Sequence, residues 1–102
     1  ASKHALVGLT RCAGLEMGPF GINVNAICPG FVETDMLEEF RAHADLLGTT
    51  FDKVKEAGLA RVPLKRFMKP EEIAHLAVFL GSSESDGITG QSILVDGGMV
   101  VV

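Results

Sequence analysis

The sequence contains no tyrosine and no tryptophan, so a phenolic proton donor is not among its residues. It has two cysteines, Cys12 and Cys28, too far apart for a local redox pair and without neighbours that would complete a zinc site. Both read as small buried hydrophobes. His4, His43 and His75 fall at no spacing that puts two ligands on one helical face, so no metal site is expected. Basic charge is scarce and scattered: nine Lys and Arg against 13 Asp and Glu give a net charge of -4. A surface for nucleic acid, which needs clustered cations to meet phosphates, is therefore not expected. No apolar run approaches the roughly 20 residues that span a bilayer, and the charged and apolar regions of a signal peptide are missing. No membrane partner is implied, and a soluble, cytoplasmic protein is the expectation. Internal repeats, low-complexity stretches and interdomain linkers are absent as well.

What is present is the composition of an α/β domain: 47% hydrophobic residues, 22% charged residues and 12 glycines. Ala5, Leu6, Leu9, Cys12, Ala13 and Met17 recur at helical intervals and predict a helix over Lys3–Met17 with a broad apolar face. Gly18-Pro19-Phe20-Gly21 ends it. Ile22–Cys28 reads as a strand entering a buried sheet, and Pro29 is expected to end its pairing. From Thr34 to about Ala57, Met36, Leu37, Phe40, Leu46 and Leu47 precede the break at Gly48-Thr49-Thr50, after which Phe51 and Val54 resume. Two short helices joined by a turn fit this pattern.

Residues Gly58–Met68 carry Pro63 and several basic side chains without periodicity, so they read as a loop with its cations in solvent, or as the edge of a pocket. Lys69-Pro70-Glu71-Glu72 is a helix start, with proline in the first turn and carboxylates toward the positive end of the helix dipole. That helix runs to about Leu80, with Ile73, Leu76, Ala77 and Leu80 as its packing face, before Gly81-Ser82-Ser83. Ser92–Val95 supplies a second strand, and Asp96-Gly97-Gly98 is a turn whose first role is structural. Strand, long helical connection, strand argues for a parallel pair, a slice of a doubly wound sheet.

Lys3, the segment Cys28-Pro29-Gly30-Phe31-Val32-Glu33-Thr34 and the ending Leu94-Val95-Asp96-Gly97-Gly98 together resemble the C-terminal part of a short-chain dehydrogenase/reductase, over essentially the whole chain. The resemblance implies one Rossmann-type α/β domain of which residues 1–102 are the C-terminal portion. The glycine-rich phosphate loop and the catalytic tyrosine would belong to an absent N-terminal half, the tyrosine just before Ala1. On that view the chain alone should be inactive.

The chemistry implied is hydride transfer between NAD or NADP and a secondary alcohol or ketone. Lys3 would hydrogen-bond the nicotinamide ribose and lower the pKa of the neighbouring tyrosine, since a nearby positive charge favours the phenolate. Pro29, Gly30, Val32 and Thr34 would form the cofactor side, just beyond the carboxyl end of a strand where open α/β sheets place ligands. Gly30 would let backbone approach a flat ring, Val32 would meet the nicotinamide carboxamide through its main chain, and Thr34 would offer its hydroxyl. Without a cofactor, the same residues are an ordinary strand-to-helix turn in which Thr34 caps the next helix and Asp35 complements its dipole.

Met36–Arg66 would close over substrate, with Phe40, Leu47, Phe51 and Leu59 as apolar walls or plain packing. The resemblance is nearest to acetoin and diacetyl reductases and polyol dehydrogenases, so a small diol, polyol or hydroxyketone is the leading substrate. A 3-oxoacyl or polyketide ketoreductase is the alternative, with Lys53, Lys55, Arg61, Lys65 and Arg66 as a groove for a carrier protein. A noncatalytic scaffold of the same fold is another. Family members commonly form homotetramers, which suits the apolar face around Leu6, Leu9 and Ala13 and the greasy ending Met99–Val102.

Overall fold

Two hydrogen bonds define the sheet. The Ala26 N–H donates to the Gln91 carbonyl at 2.8 Å and the Gly30 N–H to the Val95 carbonyl at 3.0 Å. Both partners advance in the same direction, so β1 (Ala26–Pro29) and β2 (Ser92–Val95) are parallel neighbours. The computed structural model describes residues 2–99, the side chains of Asp35 and Met36 aside. Its helices are α1 (Ser2–Met17), α2 (Glu33–Leu47), α3 (Phe51–Ala60) and α4 (Pro70–Leu80). Cα proximity divides the chain into two units, Ala1–Cys28 with Ala74–Ile93 and Pro29–Ile73 with Leu94–Val102.

The expected strand over Ile22–Cys28 is shorter at its start and longer at its end. Asn23 Nδ2 donates to the Asp86 carbonyl at 2.9 Å and Asn25 Nδ2 to the Ile88 carbonyl at 2.9 Å, while the Val24 N–H donates to Thr89 Oγ1. Side chains of 23 and 25 thus take the place of ladder rungs against the 85–91 turn. Pro29 does not end the pairing either. Ala26 and Gly30 donate to β2, so even-numbered residues face it and Pro29 is turned away, where its missing N–H costs no rung.

The first unit corrects the expected apolar face of α1. Its buried positions are Thr10 and Gly14, with Val7, Ala13 and Met17 half-buried beside them. Leu9 and Leu15 are 68% and 80% exposed, and Cys12 is exposed rather than buried; Cys28 is the buried cysteine. Small side chains explain this seam: a Cβ on Gly14 would stand 2.8 Å from Gly90 Cα, so the helix approaches the 89–90 backbone more closely than a side chain would permit.

In the second unit α2 and α3 pack as a helical hairpin across Gly48-Thr49-Thr50. Gly48 at φ 67° closes α2, and Thr50 Oγ1 accepts from the Lys53 N–H at 3.3 Å to cap α3. α3 runs to Ala60, a few residues past its expected end. Phe31, Phe40 and Phe67 meet edge to face at centroid distances of 5.2, 5.6 and 6.3 Å. Gly58 lies under this cluster, since a Cβ there would stand 2.8 Å from Phe40 Cζ. In the segment expected as a loop, Val62 and Met68 are buried, at 1% and 2% exposed, while the basic Arg61, Lys65 and Arg66 face solvent.

On α4, Ile73, Leu76 and Leu80 are half-buried as expected, but Ala77 is exposed. Among the described residues no helix is long and apolar enough to cross a membrane. Of the apolar ending, Met99 is half-buried and residues 100–102 lie outside the described residues.

Candidate functional site

The loop from Pro29 to Thr34 leaves the carboxyl end of β1 and enters α2. It is held at two points. Gly30 donates to Val95, and beyond it the Met68 N–H donates to the Phe31 carbonyl at 2.8 Å while the Met68 carbonyl accepts from the Glu33 N–H at 2.9 Å. This is an isolated parallel bridge between Val32 and Met68. In such a bridge the flanking residues, Phe31 and Glu33, supply the bonds, so the N–H and C=O of Val32 point to the side opposite Met68. A donor and an acceptor on one extended residue are what a carboxamide needs, so the loop fits a nicotinamide at Val32.

Pro29, Gly30, Val32 and Thr34 lie together in the second unit. The space left by the missing side chain of Gly30 is filled by the chain itself: a Cβ there would stand 2.7 Å from Asp96 Cβ and 2.9 Å from Asp96 Cα. Glycine at 30 is required by that packing. Thr34 is not the cap of α2, because the helix already begins at Glu33 and Val32 occupies the cap position without a side-chain bond. That leaves the Thr34 hydroxyl exposed in the first turn of a helix lacking a side-chain cap, where amides and the helix dipole favour an anionic group such as a cofactor phosphate. Lys3 lies in the first unit, exposed in the first turn of α1, and makes no hydrogen bond or ion pair among the described residues.

In the same unit, a groove of about 610 Å³ is lined by Phe31, Phe40, His43, Leu47, Val54 and Gly58, with Glu39, Lys53 and Arg61 among its polar residues. Phe40 and Leu47 stand where expected. Phe51 instead lies under the Arg41 guanidinium, 5.1 Å from its ring centre, and Leu59 belongs to a separate depression of about 490 Å³ with Lys55 and Lys65.

The five cations expected as one basic groove stand in different surroundings. Lys53 and Arg61 line the larger groove and Lys55 and Lys65 the smaller; Lys65 Nζ donates to the Ala60 carbonyl at 2.8 Å. Arg66 makes a two-pronged ion pair with Glu72, Nη1 to Oε1 at 2.5 Å and Nη2 to Oε2 at 3.0 Å. Glu72 Oε1 also accepts the Lys69 N–H at 3.0 Å. The Arg66 hydrogen bond, and then the Lys69 amide, hold the Glu72 carboxyl at about 2, well below its ordinary range.

Sequence reasoning did not find Met68 or Asp96 as neighbours of the loop. Met68 gave no signal as one residue in an aperiodic segment, and Asp96 read only as a turn residue. Among the described residues no group of three or more His, Cys, Asp or Glu is placed to hold a metal ion.

A family model described as enoyl-(acyl carrier protein) reductase matches residues 1–100. The 3-oxoacyl-[acyl-carrier-protein] reductase FabG of Thermotoga maritima is 43% identical over 101 residues, which are 99% of this chain and 37% of that protein. Among solved structures, a short chain dehydrogenase family protein of Francisella tularensis superposes with a TM-score of 0.88 at 36% identity, over 96% of this chain and 41% of that one. An actinorhodin polyketide ketoreductase crystallised with NADPH gives a TM-score of 0.85 at 39% identity, over 97% of this chain and 38% of that one. The chain thus spans well under half the length of these relatives. With strand, loop and helices arranged as theirs are and a family model spanning almost every residue, the chain belongs to the short-chain dehydrogenase/reductase family.

Proposed function

We propose that residues 1–102 are the C-terminal portion of one dehydrogenase/reductase domain, and that the whole protein is an NAD(P)-dependent oxidoreductase reducing a 3-oxoacyl or polyketide-type ketone. The observation that carries the oxidoreductase reading is the Val32 bridge, which turns one backbone donor and acceptor outward beyond the carboxyl end of β1. When bound, the cofactor supplies or accepts the hydride. Val32 would orient the carboxamide, and the Thr34 hydroxyl at the head of α2 would contact the same cofactor. Lys3, unengaged among the described residues, has its ammonium free to hold a ribose hydroxyl and to favour the anionic form of a nearby phenol.

The substrate class departs from the small diol or polyol expected from the sequence. The similar proteins are named as an acyl-carrier-protein reductase and a polyketide ketoreductase. The apolar groove floored by Phe31 and Phe40 also suits an acyl chain better than a polyhydroxylated one. A cytoplasmic homo-oligomer accompanies this reading, supported by the exposure of Leu9 and Leu15 on α1.

The test is nicotinamide oxidation by the full-length protein, comparing a 3-oxoacyl thioester with acetoin, diacetyl and a polyol's ketose. Preference for the thioester is the expected result; preference for the small hydroxyketone restores the diol reading. No turnover, with a residue other than tyrosine four positions before Lys3, leaves the noncatalytic scaffold.

A further inference from the structure

The residues that set the height of the Pro29–Thr34 loop lie outside it. At its start, Gly30 rests against Asp96 with no room for a methyl group between them. Asp96 is 6% exposed, and its Oδ1 accepts the Gly98 N–H at 2.9 Å, folding residues 96–98 into a closed turn. At the middle of the loop the support is Met68, 2% exposed, which bonds Phe31 and Glu33 on either side of Val32.

The two supports are joined to each other. A Cβ on Gly97 would stand 2.8 Å from Met68 Cε and 2.8 Å from Val62 Cγ1, and the Leu64 N–H donates to the Gly97 carbonyl at 3.1 Å. The 96–98 turn therefore touches the loop directly at Gly30 and, through the Met68 side chain, again at Val32. Gly97 and Gly98 adopt φ of 66° and 90°, so the turn is built from residues that reach this conformation without strain. A loop fixed at two points by one closed turn cannot tilt at one end without moving the other.

We propose that Asp96 and Met68 are positioning residues for the nicotinamide. Neither needs to reach the cofactor; together they fix where the Val32 backbone meets its carboxamide. The inference rests on the oxidoreductase reading above. Its physical basis is the steep dependence of hydride transfer on placement, where about 1 Å of misplacement costs on the order of 100-fold in rate.

The experiment compares Asp96→Ala and Met68→Ala with the conservative Asp96→Asn and Met68→Leu in the full-length protein. Asparagine keeps the turn acceptor and leucine keeps the volume. Amide hydrogen exchange is read without cofactor, and the affinity for reduced cofactor is read by fluorescence titration. In the alanine variants, exchange at Phe31–Thr34 should rise about 10-fold relative to the Ala74–Leu80 amides, as expected of a local opening. Cofactor affinity should fall about 10-fold, with both conservative variants within about 3-fold of the original.

If the alanine variants keep their circular dichroism while loop exchange and cofactor affinity stay within about twofold, the proposal is overturned. Should either alanine variant not fold, Met68→Val, which fills the core but withdraws the contact with Gly97, carries the same expectations and the same refutation. Absence of cofactor binding in the unsubstituted protein sinks the oxidoreductase reading instead, and the exchange data still report whether the loop is buttressed.

Discussion

Gly30 and Asp96 occupy space that a single added methyl group would overfill, with Asp96 Cβ only 2.7 Å from where a side chain at 30 would begin. The obstacle is the Asp96 Cα and the Cβ fixed to it, neither of which can swing aside as the far end of a long side chain would. Gly30→Ala should therefore destabilise the protein by about 1–3 kcal/mol, the range for overpacking a filled interior. Chemical denaturation measures this, and a neutral or stabilising result would show that the 96–98 turn yields freely.

Gly14 and Gly8 share α1 and make a controlled pair. A Cβ on Gly8 meets nothing within 4 Å, so Gly8→Ala should stabilise by roughly 0.5–1 kcal/mol through helix propensity. A Cβ on Gly14 would meet Gly90 Cα at 2.8 Å and Gly90 N at 2.9 Å. Gly14→Ala should lose more to the clash than it gains in propensity, for a net destabilisation of about 1 kcal/mol. Opposite signs for two identical substitutions in one helix are the outcome to seek by thermal or denaturant unfolding.

That pair also shows which parts of this fold were legible in advance. The break at Gly48-Thr49-Thr50, the start of α4 at Pro70 and the strand Ser92–Val95 follow from local chemistry: a left-handed glycine, a hydroxyl cap, a proline in the first turn. The buried side of α1 was misread because hydrophobic periodicity weighs bulk, and this seam is built from Thr10 and Gly14, whose merit is smallness. The pairing at Pro29 was misjudged, and the packing against Gly30 not foreseen, for a related reason. Which way an N–H faces, and what fills a missing Cβ, depend on a partner over 60 positions away. The turn over Pro29–Thr34 was found from its pattern, whereas Met68, which bridges to it, was invisible to any pattern.

The face of α1 opposite Thr10 and Gly14 carries Ala5, Leu9, Cys12 and Leu15, all exposed. If a second copy covers this face about a two-fold axis, each leucine is buried twice. At roughly 1.5–3 kcal/mol per buried leucine, Leu9→Glu should cost the dimer about 3 kcal/mol or more, over 100-fold in dissociation constant. Sedimentation equilibrium of the full-length protein reads this directly. An unchanged mass distribution across the micromolar range would mean that α1 is not the contact.

The Arg66–Glu72 pair predicts a pH dependence confined to acid. The Glu72 carboxyl is held at about 2 against an ordinary value of 4.5, chiefly by the Arg66 hydrogen bond and then by the Lys69 amide. A carboxyl whose folded value is depressed contributes stability that is fully present above its unfolded value and is lost as pH falls toward the folded one. The window is therefore about pH 4.5 down to about 2, with no effect near neutrality. Both partners are solvent-exposed by tens of percent, 45% and 32%, so the contribution is small and screened by salt. Arg66→Gln should raise the Glu72 titration midpoint toward the ordinary range, though not fully, because the Lys69 amide remains bonded to Oε1. Carboxyl-carbon NMR titration of Glu72 in the two proteins measures the difference. A midpoint that does not move on removing the guanidinium would assign the shift to the helix-start amide alone.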